Sequence, residues 1–496
     1  MTEEWNVQPA PMDEHNQRLV ANVHPDDWEN PTPDGTYNLV AIGAGTAGLI
    51  SAIGTAGLGG KVALIERHLM GGDCLNVGCV PSKALIAAAR LAAKSGTAPD
   101  FSRVMERLRK IRADISANDS AARYTEKGVD VFLGEGRFTG RDVIEVGGRA
   151  IKFKKAVITT GARALHPDIA GLEAAGFLTN ETVFNLTERP KHLIVLGGGP
   201  IGCELAQAFR RLGSQVTIVE KARFLPREDP EASAILAEAF RRDGIEVLLD
   251  SMVEKVSSDG ALKRVHLAQN GVASTVEGDQ ILVGMGHVPN VEDLGLEAAG
   301  VEYDARNGVA VNDHLRTSNP KIYAAGDCCM QWKFTHAADV AAQIVIQNAL
   351  FGGRKKLSAV NMAWCTYTDP EIARVGVHER AAKERGVETD SYTFEMAEND
   401  RAQAEGDTEG FVKVVVKKGT DTILGATIVA AHAGEMINEI SVAMAAGMGL
   451  GKIGGVIHPY PTRSEAIKRV AGLYNQTRLT PTVAKLMKGW LKFVRG

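Results

Sequence analysis

The feature that most constrains the fold is a strand, glycine turn, helix and strand pattern that occurs twice. An apolar run from Leu39 to Ile42 leads into a glycine-rich turn and a helix of small residues, and a second apolar run ends at Glu66. The pattern recurs from His192 to Glu220. From position 43 to 66, and again from 197 to 220, the first glycine and the closing glutamate lie 23 positions apart. A crossover helix between two strands is typical of parallel pairing, so the sequence predicts an α/β protein with two Rossmann-like dinucleotide-binding domains.

Both turns have the spacing G-x-G-x-x-G. The glycines are Gly43, Gly45 and Gly48 in the first copy and Gly197, Gly199 and Gly202 in the second. The first glycine permits the tight turn, the second lets the backbone approach a pyrophosphate, and the third lets the helix pack closely on the strand. Backbone amides at the helix N-terminus then bind the anion. A glycine-rich turn without a ligand is the alternative, which the complete unit disfavours.

The two closing glutamates indicate how the nucleotides are held. Glu66 is placed to accept a hydrogen bond from a ribose 2′-hydroxyl, and Glu220 occupies the equivalent position in the second copy. Because a carboxylate there repels a 2′-phosphate, NADH is favoured over NADPH. The basic residues Lys221, Arg223 and Arg227 follow closely and leave NADPH open as an alternative.

Composition excludes several other classes of protein. A chain of 496 residues, 45% apolar and 23% charged, is typical of a multidomain globular protein, and its net charge of -4 provides no basic field for nucleic acid. No run of about 18 apolar residues predicts a membrane span. The acidic N-terminus lacks signal-peptide features, and six cysteines are too few for a disulfide-stapled secreted protein. A cytoplasmic location is therefore expected.

Cys74 and Cys79 lie between the two units, in GGDCLNVGCVPSKAL. Zinc sites usually have two residues between cysteines and a second cysteine pair, so no metal site is predicted. On an ideal helix these two positions would be about 7.5 Å apart along the axis, so a disulfide requires an irregular backbone, which Asn76 and Gly78 permit. A redox-active disulfide is the favoured interpretation, and two buried apolar cysteines are the alternative.

Taken together, GGDCLNVGCVPSKAL, the two fingerprints, TSNPKIYAAGD and HPYPTRSE resemble the pyridine nucleotide-disulfide oxidoreductases. That family includes dihydrolipoyl dehydrogenase, glutathione reductase and mercuric reductase. The resemblance covers about residues 37 to 476. It implies FAD in the first unit, NAD(P)H as electron donor in the second, and a homodimer in which the C-terminal domain completes the partner's active site.

The resemblance also assigns roles to individual residues. Cys79 matches the thiol that contacts the flavin and Cys74 the interchange thiol, while Lys83 and Glu204 match an ion pair beside the flavin ring. Further matches to cofactor-binding positions are Gly136, Thr160, Gly161 and Asp327 for FAD, and Gly286 for the nicotinamide nucleotide.

The implied domains are an FAD-binding domain of residues 37–185 and 290–356, an NAD(P)-binding domain of 186–289, and an α+β dimerisation domain of 357–476. An acidic tail, 1–36, has Trp5 and Trp28 as candidate anchors. A basic tail, 477–496, places four basic side chains on one predicted helix face: Lys485, Lys488, Lys492 and Arg495. Docking on the acidic N-terminal tail is the plainer interpretation of this basic tail, and binding to a membrane surface is the alternative.

Three segments depart from the disulfide reductases, and one of them, KFTHAADVAAQ, resembles a mercuric-reductase-like subgroup. Where these carry a catalytic histidine before P-T-x-S-E, this chain has Tyr460, which is a poor base at neutral pH. Glu465 then loses its usual partner, and His458 is interpreted as a packing or interface residue. His287 replaces the arginine of G-R-x-P-N.

Tyrosine at this catalytic position resembles mercuric reductase, although no cysteine follows Cys365 to deliver a metal ion. The sequence therefore predicts transfer of electrons from NAD(P)H through FAD to a Cys74–Cys79 disulfide, and then to a disulfide or a thiolate-bound metal ion. Dihydrolipoyl dehydrogenase activity is one alternative, and a redox-sensing or partner-binding flavoprotein without fast turnover is another. The acceptor itself is not readable from the sequence.

Overall fold

The computed structural model describes residues 7–269 and 271–496. Trp5 lies outside them. The chain divides into two compact units. The first runs to Arg223 and includes Gly244–Val360, and the second combines Phe224–Asp243 with Asn361–Gly496.

The α-helices are α1 (Glu14–Val23), α2 (Thr46–Gly57), α3 (Gly72–Asn76), α4 (Cys79–Ser95), α5 (Phe101–Ser116), α6 (Ala121–Glu126), α7 (Leu172–Ala175), α8 (Pro200–Arg211), α9 (Pro230–Asp243), α10 (Leu296–Ala299), α11 (Thr335–Phe351), α12 (Glu379–Glu384), α13 (Asp400–Glu405), α14 (Ala433–Ala445), α15 (Leu450–Ile453), α16 (Glu465–Thr477) and α17 (Pro481–Arg495). Short 3-10 turns cover Ala117–Asp119, Val183–Asn185, Leu357–Ala359 and Met396–Glu398.

The strands are β1 (Thr36–Ile42), β2 (Val62–Glu66), β3 (Val129–Leu133), β4 (Gly136–Gly140), β5 (Val143–Val146), β6 (Arg149–Ile158), β7 (Ala162–Ala164), β8 (His192–Leu196), β9 (Gln215–Val219), β10 (Glu246–Leu248), β11 (Ser251–Asp259), β12 (Leu262–Gln269), β13 (Val272–Gly278), β14 (Gln280–Val283), β15 (His287–Pro289), β16 (Tyr303–Asp304), β17 (Gly308–Val309), β18 (Ile322–Ala324), β19 (Ala363–Thr366), β20 (Glu371–Gly376), β21 (Thr389–Glu395), β22 (Phe411–Lys417) and β23 (Ile423–Ala430).

The first sheet of the first unit has the order β3-β2-β1-β6-β5-β4, with β18 also paired to β6. Strands β1 and β2 run parallel, with Leu39 opposite Val62, which confirms the predicted unit β1–α2–β2. The last four residues of β1 are all buried, as expected for a strand covered on both faces. Helix α2 packs on α11, where a Cβ on Gly54 would lie 2.6 Å from Ile346 Cδ1. The small residues of α2 therefore allow this close packing.

The second glycine unit builds a parallel sheet of order β10-β9-β8-β14. Helix α8 crosses from β8 to β9, as the matched spacing predicts. It also packs on α4, which belongs to the same compact unit of the chain. An antiparallel meander of β11, β12 and β13 follows. The packing of α8 on α4 brings the second glycine unit next to the segment that begins with the cysteine pair.

The N-terminal segment from residue 7 to residue 35 lies along the first unit. Helix α1 packs on α5, where Arg109 Nε donates to Asp13 Oδ2 at 2.6 Å. Arg112 of α5 is fully buried and donates to Asn16 Oδ1 at 2.6 Å. Trp28 Nε1 donates to the carbonyl of Val131 at 3.2 Å. These polar contacts anchor the acidic segment to the first unit.

The second unit contains an antiparallel sheet of order β19-β20-β23-β22-β21. Helix α14 packs on β20 and β23, and α16 packs on β21 and β22, which gives the α+β arrangement expected from the sequence. Lys413 of β22 is buried and binds Asp229 Oδ2 at 3.1 Å, which holds the segment Phe224–Asp243 in this unit. The sequence assigned that segment to the NAD(P)-binding domain, and the domain boundaries stay a prediction.

Among the described residues, one helical stretch, Gly72–Ser95, is long and apolar enough to cross a membrane by length and composition. Of the most apolar 18 residues of this stretch, 44% are buried inside the protein, and its helix α4 packs against α5 and α8. Core helices of globular enzymes meet the same criterion, so this stretch is weak support for a membrane span.

Candidate active site

Cys74 and Cys79 lie at a break between two helices. Cys74 belongs to the short helix α3, and Cys79 is the first residue of α4. Between them Gly78 adopts a non-helical conformation (φ -128°, ψ -113°), and a Cβ there would lie 2.7 Å from the carbonyl oxygen of Asp73. A side chain at this position would displace the backbone. The irregular backbone that the predicted disulfide requires is therefore present.

Asn76 contributes to this break through its side chain. Its Nδ2 donates to the carbonyl oxygens of Met70 at 3.1 Å and Gly72 at 2.9 Å. The sequence predicted that Asn76 contributes through its backbone conformation, whereas the structure shows that its side chain holds the loop by these two hydrogen bonds. The carbonyl of Asn76 in turn accepts from Arg112 Nη1 at 2.7 Å, so α5 also supports the cysteine loop.

The surroundings of Cys79 favour its thiolate. A hydrogen bond from the Cys74 thiol is the largest effect that lowers the pKa of Cys79, to about 6, with further lowering from the Thr335 hydroxyl and the Lys83 charge. Desolvation by the surrounding protein and the Glu204 carboxylate oppose the shift, although Cys79 keeps an exposed surface. The reciprocal hydrogen bond, followed by burial, raises the pKa of Cys74. In the dithiol form Cys79 therefore carries the charge and Cys74 keeps the proton.

Two helix N-termini meet at the Cys79 sulfur. Cys79 opens the 17-residue helix α4, and Thr335 opens the 17-residue helix α11, with Thr335 Oγ1 3.2 Å from Cys79 Sγ. The positive end of a helix dipole stabilises a nearby anion, so both helices add to the stabilisation of the thiolate.

Lys83 and Glu204 form an ion pair beside the cysteines. Lys83 lies one helical turn after Cys79 on α4, and its Nζ is 2.8 Å from Glu204 Oε2 on α8. Glu204 is only 6% exposed, whereas the Lys83 side chain is about one-third exposed. The buried carboxylate thus holds the ammonium group near Cys79, where the sequence analysis expected an ion pair.

Two aspartates close to the cysteines are perturbed. Asp73 is exposed to solvent although protein surrounds it closely, and desolvation followed by repulsion from Asp327 raises its pKa to about 8. Desolvation likewise raises the pKa of Asp327 to about 6, against the lowering effect of Lys333. Lys333 Nζ donates to the carbonyl of Asp327 at 2.8 Å. The raised pKa favours the protonated form of Asp73, in which its carboxyl group can donate a hydrogen bond.

The first glycine turn fits a dinucleotide phosphate. A Cβ on Gly43 would lie 2.4 Å from Thr159 O, and one on Gly48 would lie 1.8 Å from Gly43 O, so only glycine fits at either position. Gly45 instead has a single neighbour within 4 Å, Gly72 Cα at 3.7 Å, and no side chain caps the α2 N-terminus. The turn is therefore packed on its inner side and leaves backbone amides available for an anion.

The second glycine turn repeats this geometry. A Cβ on Gly197 would lie 2.6 Å from Gly284 O, and one on Gly202 would lie 2.1 Å from Gly197 O. Gly199 has no atom within 4 Å of its Cβ position and caps α8 without a side-chain bond. The backbone amides of this turn are thus available to bind the phosphates of a second nucleotide, as those of the first turn are for the first nucleotide.

The two closing glutamates are held in the same way. Glu66 accepts from the amide after the first glycine of its turn at 2.6 Å and from the amide two residues beyond itself at 2.8 Å. Glu220 accepts from the equivalent amides at 2.7 and 2.9 Å. Because a carboxylate has about four acceptor sites, both residues keep acceptor capacity for a ribose hydroxyl.

Thr160 and Gly161 follow strand β6 and connect two distant segments. Thr160 Oγ1 donates to Asn290 O at 2.6 Å, and Asn290 N donates to Gly161 O at 3.0 Å. Gly161 has a positive φ of 68° and no atom within 4 Å of a Cβ position, so its outer side is open. The backbone here can approach a ligand closely.

Gly136 and Gly286 are placed differently. A Cβ on Gly136 would lie 3.0 Å from Ile65 Cγ2, which indicates packing against the end of β2. Gly286 has a φ of 118° and accepts from Leu165 N at 2.9 Å, just before β15 pairs with β7. Desolvation lowers the pKa of the following His287 to about 4, so this histidine is neutral at the position where the sequence analysis expected an arginine.

Tyr460, His458 and Glu465 lie in the second unit. Tyr460 is 68% exposed and donates to Asp400 Oδ2 at 2.5 Å, which raises the pKa of its hydroxyl. The His458 side chain is nearly buried, with Nε2 2.8 Å from Glu439 Oε1. Glu465 pairs with Arg469 one turn along α16 at 3.1 Å. Each of these three side chains therefore has a partner of its own, and Glu465 pairs with an arginine instead of a histidine.

All six cysteines are within the described residues and are thiols rather than disulfides. Cys203 and Cys328 are buried, Cys329 and Cys365 are partly buried, and Cys365 Sγ lies 3.9 Å from Glu371 Oε2. Across residues 7–269 and 271–496, no cluster of three or more His, Cys, Asp or Glu side chains is arranged to bind a metal ion.

Comparison with known proteins identifies the family. The family model "Pyridine nucleotide-disulphide oxidoreductase" matches residues 37–342, and the model of its dimerisation domain matches residues 362–471. The mercuric reductase of Lysinibacillus sphaericus is 35% identical over 447 residues, which are 88% of this chain and 82% of that protein. The mercuric reductase of Streptomyces lividans is 35% identical over 467 residues, which are 91% and 98%.

Solved structures agree with this assignment. The Cu(II) complex of the HOCl-induced flavoprotein disulfide reductase RclA from Escherichia coli has a TM-score of 0.81 at 31% identity, covering 89% of this chain and all of that one. LpdA from Mycobacterium tuberculosis has a TM-score of 0.82 at 28% identity, covering 88% and 99%.

The chain belongs to the pyridine nucleotide-disulfide oxidoreductases. As a member of this family it is a flavoprotein oxidoreductase that uses FAD and NAD(P)H, and the predicted α/β fold with two dinucleotide-binding domains and a dimerisation domain is confirmed.

Sequence reasoning missed two neighbours of the cysteine pair. Thr335 lies in KFTHAADVAAQ, a segment in which the sequence analysis recognised a resemblance but assigned no role to the threonine. Arg112 lies on an amphipathic helix on which two other polar residues, Arg109 and Ser116, are also buried. The burial of Arg112 could not be predicted from the helix alone, because α1 and the loop between the two cysteines cover its side chain.

Proposed function

We propose that this flavoprotein passes electrons from NAD(P)H to a thiophilic metal ion bound by Cys74 and Cys79. FAD, when bound, accepts the hydride and relays the electron pair, which is the chemistry the protein itself lacks. Overall, NAD(P)H and a divalent mercuric ion would give NAD(P)⁺, one proton and the metal atom. With a cupric acceptor, one NAD(P)H would reduce two ions to the cuprous state.

The cysteine pair is suited to capture such an ion. Cys79 has a pKa of about 6 and is a thiolate at neutral pH, whereas Cys74 is protonated and donates to it. Binding of a soft cation by both sulfurs requires only that the Cys74 proton leaves. Lys83, held by Glu204, would offset the negative charge on the sulfurs before the metal arrives.

The observation that carries the proposal is the state of Tyr460. Disulfide exchange needs a group that returns a proton to the departing thiolate, and histidine is suited to this near neutral pH. The Tyr460 hydroxyl donates a hydrogen bond to Asp400 and has a raised pKa, and the His458 side chain pairs with Glu439. Metal capture does not need such a group. Relatives named mercuric reductase and an RclA structure with Cu(II) point to the same acceptor class.

A disulfide acceptor is the second candidate, since one similar structure is named a flavoprotein disulfide reductase and another is named LpdA. The experiment compares NADH oxidation with mercuric ion, cupric ion and small disulfides, and NAD⁺ reduction with dihydrolipoamide. We expect the metal ions to support turnover that Cys74→Ser and Cys79→Ser abolish.

The Tyr460→His variant separates the two candidates. If wild type is a metal reductase, this variant gains dihydrolipoamide or disulfide activity, because an imidazole then occupies the acid–base position. A fast wild-type rate with dihydrolipoamide and none with metal ions contradicts the proposal. Full FAD occupancy without NADH consumption by any acceptor would instead favour a redox-sensing flavoprotein.

We also propose an NADH preference, a homodimer and a cytoplasmic location. Glu220 places a carboxylate beside the second glycine turn, where it would repel a 2′-phosphate. The Glu220→Ala variant should therefore narrow the kcat/KM ratio between NADH and NADPH. The dimer rests on the matched dimerisation domain and is testable by analytical ultracentrifugation. Six cysteines in 496 residues are too few for a disulfide-stapled secreted protein, which supports a reducing compartment.

The individual site roles form part of the same proposal. Cys79 would face the flavin and Cys74 the acceptor, with Lys83 and Glu204 beside the flavin ring. In the proposed homodimer, Tyr460 and Glu465 would complete the acceptor site of the partner subunit. The residues proposed to bind the cofactors are Gly43, Gly45, Gly48, Glu66, Gly136, Thr160, Gly161 and Asp327 for FAD and Gly197, Gly199, Gly202, Glu220 and Gly286 for NAD(P)H.

A further inference from the structure

The C-terminal helix α17 is well formed but buries none of its side chains. Thr480 caps it by accepting from Val483 N at 3.3 Å, and Pro481 occupies its first position, where proline is favoured. Every residue of Pro481–Arg495 except Ala484 is exposed. Helices of about this length are only marginally stable in water without a packing surface, so α17 lacks the support that a buried face gives other helices.

The two sides of α17 differ in chemistry. At 100° per residue its four basic side chains fall within an arc of roughly 80°; they are Lys485, Lys488, Lys492 and Arg495. The opposite side carries only apolar residues with large exposed surfaces, which are Val483, Leu486, Met487, Trp490, Leu491, Phe493 and Val494. Trp490 is 65% exposed and Phe493 is 79% exposed. Residues 481 to 496 include no aspartate or glutamate.

We propose that α17 binds the surface of an anionic lipid membrane, lying in the plane of the interface with its apolar side inserted. A helix with lysine and arginine on one face and tryptophan, phenylalanine and leucine on the other is the type that occupies this position. At about 1.5 Å per residue it would cover about 22 Å of membrane surface. Lysine side chains can extend from such a helix to the phosphate groups while their methylene stems stay among apolar groups.

Charge complementarity favours a lipid surface over a second copy of the chain. Two α17 helices packed through their apolar sides would leave four basic groups on each without acidic partners, because the helix has no acidic residue. The matched dimerisation domain ends at residue 471, ten residues before the helix begins. An anionic bilayer satisfies the apolar and the basic face together, which a purely apolar protein contact does not.

The test is co-sedimentation of the full-length FAD-loaded protein with vesicles. Vesicles of phosphatidylcholine and phosphatidylglycerol in equal parts should bind it, vesicles of phosphatidylcholine alone should bind it much more weakly, and added salt should weaken binding to the anionic vesicles. Each basic residue near an anionic surface contributes roughly a fivefold factor. The Lys488→Gln, Lys492→Gln double variant should therefore bind about 25-fold more weakly, and Trp490→Glu, Phe493→Glu at least about tenfold more weakly.

Matched controls exclude general surface effects. Lys417→Gln removes an exposed lysine of β22, and Met252→Glu adds charge at an apolar side chain that is 63% exposed on β11. Both controls should bind like wild type. The proposal is overturned if wild type does not sediment with anionic vesicles, or if the double variants sediment as well as wild type. A lower oligomeric mass in Trp490→Glu, Phe493→Glu, with no vesicle binding by wild type, would overturn it by assigning the face to a subunit contact.

Discussion

Replacing Thr335 by valine should raise the pKa of the Cys79 thiol by about one unit. Valine has nearly the same shape as threonine but lacks the hydroxyl that lies 3.2 Å from Cys79 Sγ. A hydrogen bond to a charged group contributes roughly 1.5–3 kcal/mol. Because Cys79 is exposed and water can replace part of this donation, the low end applies, which is about one pKa unit.

The pKa of about 6 makes Cys79 largely thiolate at pH 7. A pKa near 7 in Thr335→Val would leave about half as thiolate at that pH, whereas the two proteins converge above about pH 8.5, where both are ionised. Since the two sulfurs share a proton, the measured value is the first apparent pKa of the pair.

The assay is the pH dependence of iodoacetamide alkylation of the reduced protein, with modification at Cys79 located by tandem mass spectrometry. Thr335→Ser keeps the hydroxyl and should titrate like wild type. The reasoning fails if Thr335→Val titrates at the wild-type pH, or if Thr335→Ser shifts as far as the valine variant does.

Three further substitutions have defined expected outcomes. Gly48→Ala should yield protein with little bound FAD, because its Cβ would lie 1.8 Å from a backbone oxygen. The bound FAD is measured as the ratio of the absorbances at 450 and 280 nm. The control Gly57→Ala lies in the same helix, has open space around its Cβ and should retain FAD. Asn16→Ala should lower the free energy of unfolding in urea by about 2 kcal/mol, because a fully buried Arg112 N–H loses its acceptor. Lys413→Met should lower it by about 3–5 kcal/mol, because a buried carboxylate loses its counter-charge.

Two controls sharpen the stability predictions. Asn22→Ala removes a neutral hydrogen bond of 2.8 Å from the same helix as Asn16, so it should cost less than Asn16→Ala. Lys417→Met changes an exposed lysine on the same strand as Lys413 and should change the unfolding free energy by under about 0.5 kcal/mol. Equal effects in a variant and its control would show that burial of the charge is not the cause.

Local patterns determined much of the fold. The apolar runs before Gly43 and Gly197 have β-strand length, and the glycine spacing is compatible with only one kind of turn, so both strand, helix and strand units were predictable. The break between Cys74 and Cys79 was predictable for the same reason, since a disulfide and a continuous helix are incompatible at that spacing. Each of these inferences depends on residues close together in the chain.

The surroundings of the cysteines were decided only by the tertiary structure. Thr335 is 256 positions from Cys79 and reaches it because α11 packs on α2, a contact that no local pattern specifies. The fully buried Arg112 supports Asn76 only once α1 supplies Asn16 as a second acceptor. Sequence periodicity reports which face of an element is buried, but which faces meet depends on side-chain packing across the whole unit, and that packing sets the electrostatics of the site.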